Sequence, residues 1–147
     1  MALKLRSQMP ELDGATTWLN GEVSKADLKK PVLIHFWSIS CGLCKEAMPN
    51  VNEFRDEYKD QLEVIAVHMP RSEKDLNLEE IEKVAKEHGI TQPIFVDNQH
   101  KLTDAFENEY VPAYYVFDEE GQLRHFQAGG GGMKMLTKRV NRVLGIK

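Results

Sequence analysis

Cysteine is almost absent: the chain of 147 residues holds two, Cys41 and Cys44. Two thiols cannot build the disulfide framework of a small secreted fold. They also fall short of the four ligands of a structural zinc site. Long apolar runs are missing as well. Nothing approaches the roughly 18 apolar residues of a membrane span, and Met1 to Pro10 has no apolar core of signal-peptide length. The expected location is the cytoplasm. Basic charge is not in excess: 19 Lys and Arg face 23 Asp and Glu, for a net charge of −4. No cluster marks a nucleic-acid footprint. Lys134, Lys138, Arg139 and Arg142 read as a solvated face of the last helix. The four glycines Gly129–Gly132 lack the Gly-Lys-Ser/Thr of a P-loop and read as a flexible loop.

What is present suits one domain over residues 1–147, with 41% hydrophobic residues for an ordinary core. Asp13-Gly14 and Asn20-Gly21 are turn dipeptides around Thr16–Leu19, which suggests an N-terminal β-hairpin. Val32–Trp37 is apolar enough for a central parallel strand. Cys41 to about Tyr58 predicts a helix, with Met48, Val51, Phe54 and Tyr58 as its inner stripe and a kink at Pro49. Leu62–Val67 is a second buried strand. Leu78–His88 is an amphipathic helix closed by Gly89, and Ile94–Val96 a third strand. A short helix is expected near Lys101–Glu107. Tyr114–Phe117 and Leu123–Phe126 flank a turn and predict a β-hairpin. Met133, Leu136, Val140, Val143 and Leu144 form the stripe of a final helix. The pattern is α/β, with a mixed central sheet and helices on both faces.

The two cysteines sit as Cys41-Gly42-Leu43-Cys44, directly after the first buried strand and at the start of a helix. That is the layout of a dithiol redox site. Free N–H groups and the helix dipole favour a thiolate at the helix start, and the thiolate is the reactive form. Residues i and i+3 lie about 5–6 Å apart, within the ~4.4–6.8 Å a disulfide tolerates. Cys41, at the solvent end, is the expected attacking thiol. Cys44, one turn in, is the expected buried resolving thiol.

These residues resemble the thioredoxin superfamily. Its members carry a strand, then F-W-x-x-W-C-G-P-C-K, a helix containing proline, and a cis-proline before the penultimate hairpin. Here these appear as Phe36-Trp37-Ser38-Ile39-Ser40-Cys41-Gly42-Leu43-Cys44-Lys45, then Pro49, then Val111-Pro112. The N-terminal hairpin and the extra helix between Val67 and Ile94 are similar to the TlpA/ResA-like branch. The lack of an anchor is similar to the cytosolic YkuV-type thiol–disulfide oxidoreductases. The resemblance implies a thioredoxin-like fold with an N-terminal β-hairpin and an inserted helix. It also implies a cis Pro112 whose loop lies against the dithiol and pairs with an extended substrate segment. The chain departs from the pattern at four places. Ser40 replaces a tryptophan and Leu43 a proline. His35 stands where thioredoxins keep a buried aspartate, and Ala47, next to Glu46, where ResA-like proteins place a glutamate.

His35 shares a strand face with Leu33 and Trp37 and should be buried. Two readings stand: it relays the Cys44 proton, having a pKa near neutral, or it is a core histidine bonded to backbone. His68 falls on the strand edge that carries the dithiol, as a field-tuning group or a loop histidine. Trp37 should report redox state by fluorescence quenching.

The leading expectation is a monomeric thiol–disulfide oxidoreductase that needs no cofactor. Its partners are disulfide-containing proteins and an unidentified dithiol reductant; nucleic acid and membrane are not expected. One alternative is a non-enzymatic metal-binding module using the C-x-x-C pair and a histidine among His68, His100 and His125. Another is a peroxidase using Cys41, with Arg71 as the nearby candidate partner.

Overall fold

Six strands form one mixed sheet in the order β1-β4-β3-β2-β5-β6 in a computed structural model that describes residues 2–146. The strands are β1 (Thr17–Leu19), β2 (Val32–Trp37), β3 (Glu63–His68), β4 (Ile94–Val96), β5 (Ala113–Phe117) and β6 (Leu123–Ala128). The helices are α1 (Gly42–Glu57), α2 (Leu78–Glu87), α3 (Lys101–Ala105) and α4 (Met133–Leu144). Strands β2, β3 and β4 run parallel, with α1 in the connection from β2 to β3 and α2 in that from β3 to β4. Strands β5 and β6 return antiparallel as the expected hairpin.

β2 lies between β3 and β5, a packed core covers each face of the sheet there, and all six of its residues are buried. That explains its unbroken apolar run, interrupted only by His35. Side chains alternate across a strand, and the two faces of the sheet carry separate cores. Leu33, Trp37, Tyr114 and Val116 face α1, α2 and α4 through Met48, Val51, Phe54, Ile81, Leu136 and Val140. Ile34, Phe36, Ile65, Tyr115 and Phe117 face α3 and the N-terminal segment through Phe106, Leu102, Met9 and Leu12. The dithiol belongs to the first core. α1 continues through Pro49, and Tyr58 beyond its end donates to Asn141 of α4 at 2.7 Å.

The N-terminal hairpin is not formed. β1 instead pairs antiparallel with β4, with Thr17 opposite Val96 and Leu19 opposite Ile94. The segment before it follows the far end of the sheet. Arg6 N–H and Met9 N–H donate to Leu123 and Gly121, and Gln8 bridges Gln122. The chain thus crosses the sheet and closes the otherwise open β4 edge, where unpaired backbone groups would be costly. The inserted helix expected between Val67 and Ile94 is α2.

Candidate active site

β2 ends at Trp37, a short loop follows, and α1 begins just after Cys41. Cys41 is the N-cap, with extended backbone, and its Sγ accepts the Cys44 N–H at 3.1 Å. Cys41 and Cys44 are joined as a disulfide with 5.3 Å between their Cα atoms. Both are buried, at 3% and 1% exposure. The expectation that solvent reaches Cys41 does not hold in this oxidised form. Its sulfur is engaged by Cys44, and both residues belong to the cluster of Trp37 and Met48, against which Ile39, Val111 and Met133 pack. The residues between the cysteines stand outward instead, with Leu43 half exposed.

The Val111–Pro112 bond is cis. Pro112 precedes β5, and its carbonyl accepts the Gly129 N–H at 2.8 Å, which links this turn to the glycine loop. The glycines do more than supply flexibility. Leu43 lies over Gly130 so closely that a Cβ there would be 3.0 Å from Leu43 Cδ2. Gly132, with φ of +73°, starts α4, and its carbonyl accepts the Gln127 amide at 2.9 Å. The turn before β5 and the glycine loop are thus tied together beside Leu43.

Behind the Cys41 loop lies a polar cluster with no clear signal in the sequence. Asp75 Oδ2 accepts the hydroxyls of Ser38 and Ser40, each at 2.8 Å, and the Arg71 N–H at 2.9 Å. The Arg71 guanidinium bonds the Ser40 carbonyl at 2.7 Å. Burial works to raise the Asp75 pKa, yet the bonds from Arg71, Ser40 and Ser38 and the nearby His68 leave it lowered. His68 is fully buried. Its Nε2 accepts the Ile39 N–H at 3.2 Å, and its ring stands edge-on to Trp37 at 5.0 Å. Burial lowers its pKa to about 4 against the opposing pull of Asp75. The residue is therefore a core histidine under the loop, not a surface one.

His35 is buried on the α1 face, 1% exposed, and its Nε2 lies 2.9 Å from Gln92 Nε2. Gln92 is held in turn by Arg55 of α1 at 2.8 Å. Burial, and secondarily the Arg55 charge, lower the His35 pKa to about 3. Its hydrogen-bond partner is a side chain from the segment before β4 rather than backbone. Gln92 and Asp75 were not foreseen; each arrives from a distant part of the chain. Among the described residues no group of three His, Cys, Asp or Glu is placed to hold a metal ion. Nothing supports the metal-binding alternative.

The AhpC/TSA family model matches residues 5–126. The chain belongs to the AhpC/TSA family. Within this thioredoxin-like family, thiol-disulfide oxidoreductase YkuV of Bacillus subtilis (strain 168) is 74% identical over 144 residues, covering 97% of each chain. Thiol-disulfide oxidoreductase ResA of Geobacillus kaustophilus (strain HTA426) is 32% identical over 101 residues, 68% of this chain and 55% of that one. The solution structure of a thioredoxin-like protein in its oxidised form superposes with a TM-score of 0.90 at 73% identity, covering 97% of this chain and 98% of that one. With its Cys41–Cys44 disulfide, this AhpC/TSA member is a thiol–disulfide oxidoreductase of thioredoxin-like fold.

Proposed function

We propose that the protein reduces disulfides of other proteins in the cytoplasm, acting as a single-domain monomer. The observation that supports this most is the Cys44 N–H pointing at Cys41 Sγ from 3.1 Å at the start of α1. In the reduced protein the same amide and the helix dipole stabilise negative charge on Cys41. The Cys41 thiolate attacks one sulfur of a substrate disulfide. A mixed disulfide forms, and the other substrate sulfur leaves as a thiolate. Cys44, after losing its proton, attacks Cys41 Sγ. The Cys41–Cys44 disulfide closes and the second substrate thiol departs. The substrate gains two electrons and two protons, and a second dithiol protein restores the reduced pair. No prosthetic group takes part.

Pro112 is assigned to substrate docking. The turn it forms leads into β5 next to the dithiol face, where an extended segment can lie along backbone and gain affinity with little side-chain discrimination. For His35 we take a positioning role in the core, through the Gln92 side chain, in place of a proton relay. A ring whose pKa is about 3 accepts a thiol proton poorly at neutral pH. His35 then acts by holding Gln92, and through it Arg55, against the inner side of α1. A cytoplasmic place agrees with a chain whose only two cysteines form a reactive pair.

The test is trapping. Cys44→Ser should accumulate a mixed disulfide with a protein substrate, and Cys41→Ser should form none. Retention of reductase activity by Cys41→Ser would overturn the assignment. The reduction potential checks the direction of flow: a value near roughly −270 mV or below supports a reductant, and one near roughly −120 mV contradicts it.

A further inference from the structure

Ser40 adjoins Cys41 and occupies the position where thioredoxins carry a bulky indole. Two opposite charges converge on it. Its carbonyl accepts Arg71 Nη2 at 2.7 Å, and its hydroxyl accepts Arg71 Nη2 at 3.0 Å and Nε at 3.2 Å. The same hydroxyl donates to Asp75 Oδ2 at 2.8 Å. Asp75 is 1% exposed, whereas Arg71 is at the surface. The His68 acceptor for the Ile39 N–H already tethers the loop without using Arg71 or Asp75. A cation and a carboxylate on the residue beside the reactive sulfur do more than fasten it.

We propose that Arg71 and Asp75 form a charge couple that tunes Cys41, the guanidinium favouring its thiolate and the carboxylate opposing it. Both act through Ser40 and are positioning residues. The inference rests on Cys41 being the attacking thiol. Among the described residues the other charged or titratable groups around the Cys41 loop are Cys44, a free thiol beside Cys41 once the pair is reduced, Lys45 and Glu46 on the first turn of α1, and the buried His68; Val111–Pro112 and Gly129–Gly132 carry none. The couple differs from these in one respect. Its members have opposite signs and share one bonded residue, so neutralising each must move Cys41 in opposite directions. A purely mechanical latch would respond alike to both losses.

The experiment is a thiolate titration of the reduced full-length protein, read by ultraviolet absorbance. Arg71→Met should raise the Cys41 midpoint by about half a unit to one unit, the low end of charge effects because the guanidinium is exposed. The thiolate fraction well below the midpoint then falls about three- to tenfold. Asp75→Asn should lower the midpoint, and Arg71→Lys should stay near the parent. Added salt screens the exposed cation more than the buried carboxylate, so it should raise the midpoint more in the parent than in Arg71→Met. That comparison stands even where Asp75→Asn fails to fold. Shifts of the same sign in the two neutralised variants, or an equal salt response in parent and Arg71→Met, would overturn the couple. Trapping by Cys44→Ser is scored separately. Normal trapping with unresponsive midpoints sinks the couple and leaves the proposed function standing. Absent trapping strikes the function on its own readout.

Discussion

His35 Nε2 faces Gln92 Nε2 at 2.9 Å, and only one protonation state satisfies that pair. Gln92 Oε1 accepts from Arg55, which fixes the amide with its nitrogen toward the ring. An amide nitrogen donates and does not accept, so His35 Nε2 accepts and the ring is neutral. Protonation would set donor against donor in the core.

A pH dependence of stability follows. The folded pKa values of His35 and His68 are lowered to about 3 and about 4, chiefly by burial. In the unfolded chain both sit near 6.5. Above about pH 6.5 neither state binds the proton and stability is at its full value. Below it the unfolded chain takes up protons that the native core refuses, so stability falls as pH drops toward the folded values. Each histidine contributes a loss of about 2 kcal/mol at pH 5 by this linkage. Urea unfolding between pH 7 and 5 should show the decline, and His35→Gln should lose about half of it. An unchanged slope in that variant would show that His35 titrates in the native state.

Strands and helices that carry their own burial pattern were legible from the sequence. Val32–Trp37 and Ile94–Val96 match β2 and β4 residue for residue, because strands covered on both faces are apolar throughout. Thr16–Leu19 was recognisable as a strand, but its partner was not. Asn20-Gly21 is a hairpin signal locally, yet no second strand follows it, and three residues are too few to specify a distant edge such as β4. The same limit hid the polar cluster. Asp75 sits in the charged run Arg71–Asp75, which reads as solvated loop, and it becomes a buried acceptor only when the fold brings it to Ser38 and Ser40, which lie 37 and 35 positions earlier in the chain. The dithiol was the opposite case, because its chemistry, its spacing and the start of its helix all lie within four adjacent residues.

The contact of Leu43 with Gly130 gives a second prediction. A methyl group on Gly130 would press on the end of Leu43, which is half exposed and free to swing aside. Gly130→Ala should therefore change stability by less than about 0.5 kcal/mol. Displacing Leu43 removes apolar surface from the rim of the dithiol. Reduction of a protein disulfide should slow about two- to fivefold, the equivalent of roughly 0.5–1 kcal/mol of docking. A small-molecule disulfide should react at the parental rate. Parallel rates for the two substrates across parent and variant would refute a docking role for Leu43.

The separation of the two cores gives a third. Phe106 is fully buried and meets Phe36, Tyr115 and Phe117 edge-on on the sheet face away from the dithiol. Phe106→Ala should cost about 3–5 kcal/mol, since the packed rings around it collapse only in part. The Cys41 titration midpoint in the folded variant should stay where it was, because β2 and its flanking strands lie between. A midpoint that moves with the cavity would mean that the sheet transmits the change to α1.

The two tryptophans give a fourth, because the sheet puts them on opposite faces. Trp37 is 1% exposed in the cluster that holds the disulfide, with His68 edge-on at 5.0 Å. Trp18 packs on Phe95 in the other core. A disulfide quenches an indole only at short range, so the redox-dependent part of the emission should come from Trp37. Trp37→Phe should abolish most of the fluorescence change on reduction, and Trp18→Phe should leave it intact. The indole nitrogen of Trp37 is buried and has no hydrogen-bond partner among the described residues. Replacing the indole by phenyl keeps an aromatic ring in the cluster, and the loss of stability should fall below the roughly 3–5 kcal/mol of a full aromatic truncation. Thermal unfolding of the oxidised variant measures that cost, and emission spectra before and after reduction measure the signal. A redox signal that survives Trp37→Phe and disappears in Trp18→Phe would mean that reduction of the dithiol reaches across the sheet to the opposite core.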